Sequence, residues 1–567
     1  MSRDPRSPLP ALVVGAGPVG LVMASELTRH GVPCRVVDQA AAPSLWSKAQ
    51  ILHARSLEVF EDMGVVSGML ERGKPIHAVN IYTQEGKRIA HVEIGEADTE
   101  LHHPLSLSQR ETELLLADHL GRQGVPVERE VKLTRLTQDD EGVTSELLHA
   151  DGRTEEVQSR WLLGCDGSHS TVRKAIGLEL AGETYEWRIT QADVRVDWPF
   201  HHADDEIIAF MSPCGIIAAF PLPGEHRYRL VAFDATTEPT LENFQELLDE
   251  RGPRGAVVSD PRWMVQFTIH CRMVDRYQVG RVFLAGDAAH IHSPVGGQGL
   301  NTGIQDAYNL AWKLGLVHRG LARPSILGSY DPERRPVAAA VLRGTDSATR
   351  GAGIVQRLKG AVAQAVREQL LHFVTSLSLV QRRASRALSE LDVAYPRSPL
   401  VDQHRTPLWT AHLAPDPSSE SPALLDWLAF GAGPPPGARV PDLHFPLPDG
   451  THPRLHALLR GRHHTLLLFD GAAATEAGYQ NLTRIAGSAA RRLADRLHVH
   501  IIVPARERPR VLPSALSVLL DAKGALHRAF SARSECLYLI RPDGHVAFRS
   551  QPASEQALAA YLDRHFV

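Results

Sequence analysis

Cysteine is scarce in this sequence, and its spacing indicates no metal or disulfide chemistry. The chain of 567 residues contains five cysteines, and no two of them form a Cys-x-x-Cys pair. A scattered, odd set of cysteines is typical of neither a disulfide framework nor a zinc site. We therefore expect a reduced, cytoplasmic environment and assign no metal to the cysteines.

Long apolar stretches are also missing. The sequence has no run of about 18 apolar residues, the length that a membrane-spanning helix needs. The first ten residues contain three prolines and several charges instead of the apolar segment of a signal peptide. The sequence thus predicts a protein with no membrane partner and no evident export signal.

A strong excess of either charge sign is absent as well. The formal net charge is −4, and no dense basic run occurs, so small molecules are expected as partners and nucleic acid is not. The aromatic fraction of 6% and the charged fraction of 22% are typical of globular proteins. A chain of 567 residues is too long for one core, and division by about 150 residues per domain indicates three or four domains.

A dinucleotide-binding pattern lies at the start of the chain. Residues 11–14 form an apolar strand that runs into Gly15-Ala-Gly17-Pro-Val-Gly20 and then into a helical pattern. In such a turn Gly15 allows the tight bend, Gly17 lets the backbone approach a pyrophosphate, and Gly20 lets the helix pack on the strand. A second strand ends in Asp38, 18 positions after Gly20 (38 − 20), where this fold binds a ribose. The motif alone does not distinguish NAD from FAD.

A second glycine-rich stretch follows a short apolar strand at residues 282–284. Asp287 comes directly after that strand, Pro294 and three glycines then make a loop, and apolar residues at helical spacing continue to Leu314. Asn301 is predicted to cap this helix. Because the loop has few side chains, a planar, electron-rich ring can approach the free N–H groups of the first helical turn.

Residues 280–314, GRVFLAGDAAHIHSPVGGQGLNTGIQDAYNLAWKL, resemble the second flavin motif of the FAD-dependent aromatic hydroxylases, the single-component flavoprotein monooxygenases. In that family the aspartate at the position of Asp287 binds the ribityl or ribose part of FAD. Residues 161–177 resemble the family's Asp-Gly motif, in which Asp166 would contact both FAD and the nicotinamide donor. Gln109 matches a family glutamine beside the flavin. Lys48 stands where the family has an arginine, which keeps the charge but loses the planar bidentate fork.

The resemblance implies that FAD contacts residues in each of these motifs. The expected cofactor-binding residues are Gly15, Gly17, Pro18, Gly20, Asp38, Lys48, Gln109, Asp166, Gly286, Asp287, Pro294, Gly297, Gln298, Gly299, Leu300 and Asn301. His290 and His292 form a His-x-His pair without an acidic or cysteine partner at ligand spacing, so we predict local hydrogen bonding there and no metal.

The pattern changes to runs of strands between residues 179 and 278. Apolar or alternating segments at 191–196, 207–211, 216–220, 228–233 and 263–270 are separated by Pro, Gly and acidic turns, and residues 78–94 are similar. The family has an antiparallel sheet that covers the substrate. The candidates for its cavity-facing residues are Met211, Phe220, Pro221 and Phe267, although each also suits an ordinary core position.

The last part of the chain resembles the thioredoxin-like C-terminal domain of phenol hydroxylase relatives. Residues 464–469 and 498–503 are predicted strands around a helix, and residues 537–549 a hairpin. Where a redox thioredoxin has two cysteines, this chain has Asp470-Gly-Ala-Ala-Ala474, which excludes thiol chemistry there. A structural or dimer-contact role is the expectation, so a homodimer is considered.

Together these patterns predict an α/β fold with three kinds of domain. They are a Rossmann-type FAD-binding domain, an antiparallel-sheet substrate domain and a thioredoxin-like domain that lacks redox cysteines. The predicted boundaries are 1–178 for the first part of the FAD domain with an insert at about 75–105, 179–278 for the substrate domain, 279–400 for the FAD-domain return and long helices, 401–436 for a linker region and 437–567 for the last domain.

The resemblance implies an FAD-dependent monooxygenase that hydroxylates a phenolic or polyketide-type aromatic substrate. In the family, NAD(P)H reduces FAD, O2 adds to the flavin C4a, and the resulting hydroperoxide transfers an oxygen atom, so no side chain need be a nucleophile. One alternative on the same fold is Baeyer-Villiger-type or antibiotic-inactivating oxygenation. Another, from a different class, is a non-catalytic FAD-binding interaction protein.

Overall fold

The computed structural model describes residues 9–44, 49–95, 98–233, 238–294, 296–357, 385–406, 424–471 and 475–567. Up to residue 178 the elements are β1 (Leu9–Val14), α1 (Pro18–Arg29), β2 (Cys34–Asp38), β3 (Ile51–Leu52), α2 (Ala54–Met63), α3 (Val66–Arg72), β4 (Lys74–Pro75), β5 (Ala78–Thr83), β6 (Arg88–Glu93), β7 (Leu105–Ser106), α4 (Gln109–Arg122), β8 (Val127–Arg129), β9 (Val131–Gln138), β10 (Val143–His149), β11 (Thr154–Gly164) and α5 (Thr171–Ala175).

Strands dominate the next part of the chain, and two long helices follow it. The elements are β12 (Ala181–Asp197), β13 (Glu206–Ser212), β14 (Gly215–Pro221), β15 (Arg227–Phe233), α6 (Leu241–Arg251), β16 (Val257–Met273), β17 (Gln278–Val279), β18 (Val282–Leu284), β19 (His290–Ile291), α7 (Gln298–His318) and α8 (Tyr330–Arg357). The C-terminal elements are β20 (Asp402–Arg405), α9 (Leu424–Phe430), α10 (Leu455–Leu459), β21 (His464–Phe469), α11 (Glu476–Leu493), β22 (Leu497–Val503), β23 (Ser517–Leu520), α12 (Ala525–Ala529), β24 (Cys536–Ile540), β25 (Val546–Gln551) and α13 (Glu555–His565).

The first sheet has the order β17-β18-β11-β1-β2-β8, with β9 and β10 attached to β11. Strands β18, β11, β1, β2 and β8 run parallel, with Leu12 opposite both Leu162 and Arg35. Parallel strands are covered on both faces, which explains the apolar runs of β1, the end of β11 and β18. The carboxyl ends of β1, β11 and β18 therefore meet at one edge, where the three predicted flavin motifs begin.

The second sheet has the order β19-β16-β12-β15-β14-β13-β5-β6. The pairs among β12 to β16 are antiparallel, as the sequence predicted for this part of the chain. Strand β5 from the early insert pairs with β13 in parallel, so the complete sheet is mixed and not purely antiparallel. The insert thereby extends the sheet that the middle of the chain forms.

The third large sheet has the order β20-β25-β24-β21-β22-β23. The predicted strands and hairpin of the C-terminal part are confirmed, with β21 parallel to β22 and antiparallel to β24. Strand β20 also joins this sheet, parallel to β25, although its residues fall in the region predicted as a linker. The proline-rich residues 415–422 of that region lie outside the described part of the chain.

One large apolar core contains buried residues of both the first and the third sheet, for example Val13, Leu284, Leu466 and Leu539. The structure is thus a mixed α/β fold in which the C-terminal sheet and the nucleotide-type sheet share one apolar core. Among the described residues, no helix combines the length and the apolar character that crossing a bilayer would require.

Candidate active site

Three strand ends meet at one edge of the first sheet. The backbone N–H of Gly15 donates to Val37 (2.8 Å), that of Cys165 to Val14 (2.8 Å), and that of Ala285 to Gly164 (3.0 Å). This ladder places the turn after β1, the Asp166 turn after β11 and the Asp287 turn after β18 side by side. In open α/β sheets, ligands bind at the carboxyl ends of the strands.

Each of the three glycines of the first motif occupies a position where a side chain would meet different surroundings. Gly15 has φ +102°, and a Cβ there would overlap the carbonyl oxygen of Cys165. A Cβ on Gly20 would overlap the carbonyl oxygen of Gly15, since helix α1 packs closely on the turn. Gly17 differs from both, because no heavy atom lies within 4 Å of its hypothetical Cβ and the residue lines a cavity.

The carboxylate of Asp38 binds the backbone of this turn. It accepts hydrogen bonds from the N–H groups of Ala16 (2.6 Å) and Ala40 (2.7 Å), and Arg129 lies 3.8 Å away. The next residue, Gln39, lines the cavity. Asp38 thus holds the glycine-rich turn in shape, and its predicted contact with a ribose stays a prediction.

Asp166 caps a helix and lies on the cavity wall. Its carboxylate accepts hydrogen bonds from the Ser170 hydroxyl (2.5 Å) and from the N–H groups of Thr171 (2.7 Å) and Val172 (3.1 Å) at the start of α5. Burial raises the pKa of Asp166 despite these bonds. The Asp-Gly motif is therefore rigidly held beside the glycine-rich turn.

The loop before α7, residues 294–297, is fixed from one side by His53. The His53 ring donates from Nε2 to the carbonyl of Gly296 (2.7 Å), which fixes the tautomer because a carbonyl only accepts. Burial lowers the pKa of His53 to about 4, so the ring is neutral at physiological pH. Gly296 and Gly297 have φ of +85° and +66°, the left-handed region that favours glycine. We call the described residues of this loop, 294, 296 and 297, the flavin loop.

Asn301 does not cap α7, which corrects the prediction from the sequence. The helix begins at Gln298 after Gly297, and its first residue has no side-chain cap. Asn301 lies inside the helix and accepts from the His53 N–H (2.8 Å) while donating to the carbonyls of Ile51 (2.9 Å) and Gly297 (2.7 Å). Its amide ties the helix to strand β3 and leaves the first N–H groups of the helix free of a side-chain cap.

A buried charge network lies behind the flavin loop. Asp306 of α7 contacts the His290 ring (2.7 Å) and the Arg334 guanidinium (2.7 Å), and all three side chains are fully buried. Burial alone would raise the pKa of Asp306, but the charges of Arg334 and His290 hold it below its usual value. The ring of His290 packs 4.7 Å from that of His292. The prediction of local hydrogen bonding is confirmed at His290 and is wrong for His292, since neither ring nitrogen of His292 has a hydrogen-bond partner among the described residues.

A cavity of about 760 Å³ extends from the strand ends to the second sheet. The predicted cofactor residues on its wall are Gly17, Pro18, Gln109, Asp166, Asp287, Pro294, Gly297, Gly299 and Leu300. Six others are not among the described residues that line it, namely Gly15, Gly20, Asp38, Gly286, Gln298 and Asn301. Lys48 lies outside the described residues. The volume falls within the range of about 300–1,000 Å³ that is typical of small-molecule sites.

The second sheet forms the other wall of the cavity. The residues that it contributes include Ile189, Gln191, Phe220, Arg229, Val231 and Phe233. Of the four predicted substrate residues, only Phe220 is among the described residues that line this cavity. Met211 is buried, Phe267 packs on Ile189 and Val231, and Pro221 accepts from the Ser106 hydroxyl (2.5 Å).

This wall is mainly apolar, with one buried ion pair. Arg229 binds Asp193 through Nε (2.6 Å) and Nη2 (2.8 Å), and its guanidinium lies 5.0 Å from the Trp263 ring centroid. Cys165 also lines the cavity, but burial raises the pKa of its thiol, so it is no thiolate nucleophile. The arrangement favours a flat apolar ligand against a bound cofactor.

The strand-end turns, the free helix N-terminus and the enclosed apolar wall define a nucleotide-cofactor enzyme of the flavoprotein class. The FAD binding domain family matches residues 9–345, more than half of the chain, and the aromatic-ring hydroxylase C-terminal family matches residues 433–567. The chain belongs to the FAD-dependent aromatic hydroxylases and is a monooxygenase.

Similar proteins support this assignment. The chain is 33% identical over 562 residues to 6-methylpretetramide 4-monooxygenase of Streptomyces rimosus, covering 97% of this chain and 92% of the relative. It resembles the solved structure of OxyS anhydrotetracycline hydroxylase from Streptomyces rimosus, with a TM-score of 0.70, 28% identity and 98% and 99% of the two chains covered. The fold also matches aklavinone-11 hydroxylase, solved with FAD and aklavinone, with a TM-score of 0.74 and 22% identity over 100% of this chain and 99% of that one.

FAD is the cofactor of this family, and the described residues fit it. The open space at Gly17 leaves room for a pyrophosphate against the turn, and the first N–H groups of α7 are free to meet negative charge. The polar residue Gln109 also lies on the cavity wall, where its amide is held by Ala49 and Glu113. Sequence motifs found these residues because each depends on local residue type.

Proposed function

We propose that this enzyme hydroxylates a phenolic, polycyclic aromatic compound of the polyketide type, with NAD(P)H as reductant and O2 as oxygen donor. The observation that carries the proposal is the continuity of one cavity from the nucleotide motifs to the apolar face of the second sheet. Bound FAD supplies the redox and oxygen-activating chemistry, and the chain supplies binding, orientation and exclusion of water.

Within this proposal, the turn at Gly15, Gly17 and Gly20 binds the pyrophosphate, and Asp38 and Asp287 serve the two sugar-like parts of FAD. Gln109 and the flavin loop border the ring. Asp166 positions the passing nicotinamide donor beside it. Lys48 is assigned a flavin contact from the family resemblance alone.

The substrate lies on the second sheet in this proposal. Phe220, Val231 and Phe233 offer an apolar surface for a flat ring system. Arg229, whose guanidinium pairs with Asp193, lies opposite Phe220 in the sheet and also lines the cavity. Large fused rings suit this wall better than a single phenol, because burial of apolar area drives their binding. The names of similar proteins, which act on pretetramide and anhydrotetracycline, support the same substrate class.

We further propose that the chain is organised as domains with the boundaries expected from the sequence, and that the C-terminal part has a thioredoxin-like fold with a structural role. The parallel pair β21–β22 and the antiparallel pair β21–β24 support that fold. Asp470 stands at the end of β21 where thiol chemistry would need cysteine. A homodimer through this part is an assembly to be tested by light scattering.

The test is NAD(P)H oxidation by the FAD-loaded enzyme with a panel of phenols and polycyclic polyketide aromatics. We expect several polycyclic phenols to accelerate NAD(P)H oxidation and to be consumed in proportion. A panel in which no aromatic compound accelerates NAD(P)H oxidation would reject the proposed substrate class.

A further inference from the structure

A short segment outside both family matches borders the cavity. Residues 385–390, which we call the wall segment, lie between the regions 9–345 and 433–567 that the two families cover. Ser385, Leu388 and Ser389 of this segment are on the cavity wall together with the flavin loop and the second sheet. Part of the cavity wall therefore comes from residues that lie outside both family matches.

The wall segment contacts the flavin loop directly. Gln298, the first residue of α7, donates from its side-chain amide to the carbonyl of Ala387 (2.9 Å). Leu388 packs over Gly296, since a Cβ on that glycine would lie 3.1 Å from the leucine Cδ2. Leu388 thus lies on the cavity wall at the point where the wall segment meets the flavin loop.

Glu390 anchors the wall segment to α7. This residue is 5% exposed and has a left-handed φ of +58°. Its carboxyl accepts hydrogen bonds from the Thr302 hydroxyl (3.3 Å) and from the Gln305 amide, both on α7. A non-glycine residue in this conformation is held there by its surroundings.

No cation pairs with Glu390 among the described residues. The charged groups that face it are Arg334 of α8 and Asp306 of α7, and Arg334 is engaged with Asp306 (2.7 Å), the Thr302 carbonyl (3.0 Å) and the Tyr395 hydroxyl (3.0 Å). Burial raises the pKa of Glu390 to about 8, opposed by Arg334 and assisted by Asp306. At neutral pH the Glu390 carboxyl is therefore protonated, and its hydrogen-bond partners Thr302 and Gln305 are neutral.

We propose that the wall segment determines substrate selectivity, with Leu388 in contact with the aromatic substrate and Glu390 as the positioning residue that holds Leu388 against the flavin loop. The inference rests on the proposed function, because it takes an aromatic substrate in this cavity as given. It adds that selectivity for ring number is set by a residue outside both family regions. Leu388 limits how far a fused ring system extends past the flavin loop.

The first test compares Leu388→Ala and Leu388→Trp with the wild-type holoenzyme. The probes are one monocyclic and one linear polycyclic phenol, and the readouts are kcat/KM and the Kd from the substrate-induced change in flavin absorbance. We expect Leu388→Trp to lower the preference for the polycyclic phenol by about tenfold or more and Leu388→Ala to shift it the opposite way, because pocket volume discriminates at this scale. Leu148→Trp, at an exposed leucine of β10, is the matched control and should keep the wild-type ratio.

The outcomes separate the two proposals. Binding of both phenols without turnover would reject the proposed function while the Kd ratios still decide the role of Leu388. Equal Kd and kcat/KM ratios in wild type and both Leu388 variants would overturn the inference. Failure of the wild type to bind either phenol would overturn both.

The second test addresses Glu390 as a positioning residue. Glu390→Gln keeps a neutral hydrogen-bonding side chain, so it should retain the wild-type preference near neutral pH, whereas Glu390→Ala should resemble Leu388→Ala. As pH rises past about 8, Glu390 would become a buried carboxylate with no paired cation among the described residues, and the cost of burying that charge should move the wild-type preference toward that of Glu390→Ala, although Thr302 and Gln305 still donate to it. Glu390→Gln should stay constant. Identical pH profiles in wild type and Glu390→Gln, with Glu390→Ala unaffected, would contradict the positioning role.

Discussion

Gly17 and Gly15 belong to the same turn, but a side chain would have a different effect at each. At Gly15 a Cβ would overlap protein backbone and φ is +102°, so substitution strains the fold itself. At Gly17 the space is empty of protein and φ is −72°, so the chain tolerates a side chain there until a cofactor needs the space. We propose that the ligand, and not the fold, requires glycine at residue 17.

Gly17→Val should therefore release FAD while the apoprotein keeps its thermal stability. We expect loss of most of the flavin absorbance after gel filtration and an unchanged Tm of the flavin-free protein. Gly15→Ala is the comparison, and it should lower the Tm of the flavin-free protein as well. Full flavin content in Gly17→Val would remove the pyrophosphate assignment.

His53 acts on the cofactor through the flavin loop. His53→Phe keeps an aromatic ring and removes one hydrogen bond to Gly296, which is worth about 1 kcal/mol, so the Kd for FAD should rise by about fivefold. Because the pKa of His53 is about 4, this effect should be constant from about pH 6 to about pH 9. His444→Phe removes the same kind of bond, from a ring nitrogen to the His452 carbonyl at 2.9 Å in the C-terminal part, and should leave the Kd unchanged. Equal effects of the two variants would show that His53 acts on general stability only.

At the scale of elements, helix α7 points its N-terminus at the cavity. Gly299 and Leu300 of its first turn line the cavity, and no side chain caps the first residue. A helix N-terminus carries about half a positive charge, worth about 0.3–1 kcal/mol at exposed sites and up to about 2 kcal/mol when partly buried. We expect this end to stabilise negative charge on the N1–C2=O edge of reduced flavin.

Gly299→Pro should raise the N1 pKa of the bound reduced flavin by a few tenths to about one unit, because it removes one N–H from the first turn. Proline is tolerated there, since that N–H has no partner within the helix. Gly299→Ala keeps the N–H and is the control, and its Cβ would have only ordinary contact with His292 at 3.7 Å. The N1 pKa is measured by a pH titration of the reduced-flavin spectrum. An equal N1 pKa in both variants would refute the proposal that the helix N-terminus stabilises the reduced flavin.

Much of this element-level architecture could be predicted from the sequence, because the flavin motifs depend on local residue types. Gly15, Asp166 and Asp287 each end an apolar strand, and parallel pairing of those strands was enough to bring them together. The substrate wall could not be predicted as well. Strand β12 has irregular register between Thr184 and Arg188 and between Asp193 and Arg195, so simple alternation does not tell which side chains face the cavity.

The features that the sequence did not predict correctly have the same physical origin. In each of them a residue or strand contacts a partner that is distant in the sequence. Asn301 has the residue type of a cap, but its amide is used by Ile51 and His53 about 250 residues away. Strand β20 has no strand-like apolar pattern and forms by pairing with β25. Nothing in the sequence around Leu388 indicates a cavity, because its contact there is with Gly296 of the flavin loop, about 90 residues away.

At the scale of the molecule, buried ion pairs join the C-terminal part to the flavin part. Arg541 binds Glu333 of α8 (2.7 Å) and also pairs with Asp543, while Lys313 of α7 binds the same glutamate (2.7 Å). Burial would raise the pKa of Glu333, but Arg541 and Lys313 hold it at about 2. The stability from this carboxylate is therefore present above about pH 4.5 and is lost as pH falls through about 2.

Arg541→Met should destabilise the whole protein by about 3–5 kcal/mol at neutral pH, because it leaves Glu333 and Asp543 buried with too little positive charge. FAD release and unfolding of the C-terminal sheet should occur in one thermal transition, since one apolar core spans both parts. Arg510→Met, at an exposed arginine of the C-terminal part, should change stability by less than about 0.5 kcal/mol. Calorimetry showing two separate transitions, with FAD release unaffected by Arg541→Met, would show that the parts are independent.

The central claim is that this chain inserts one oxygen atom from O2 into an aromatic ring, using electrons from NAD(P)H. The most direct measurement is product mass after turnover of a polycyclic phenol under isotopically labelled O2, with NAD(P)H consumption followed in parallel. The account predicts one labelled oxygen atom per product, an intact carbon skeleton and one NAD(P)H oxidised per product formed. A product without labelled oxygen, or one whose ring has been opened or expanded, would contradict it.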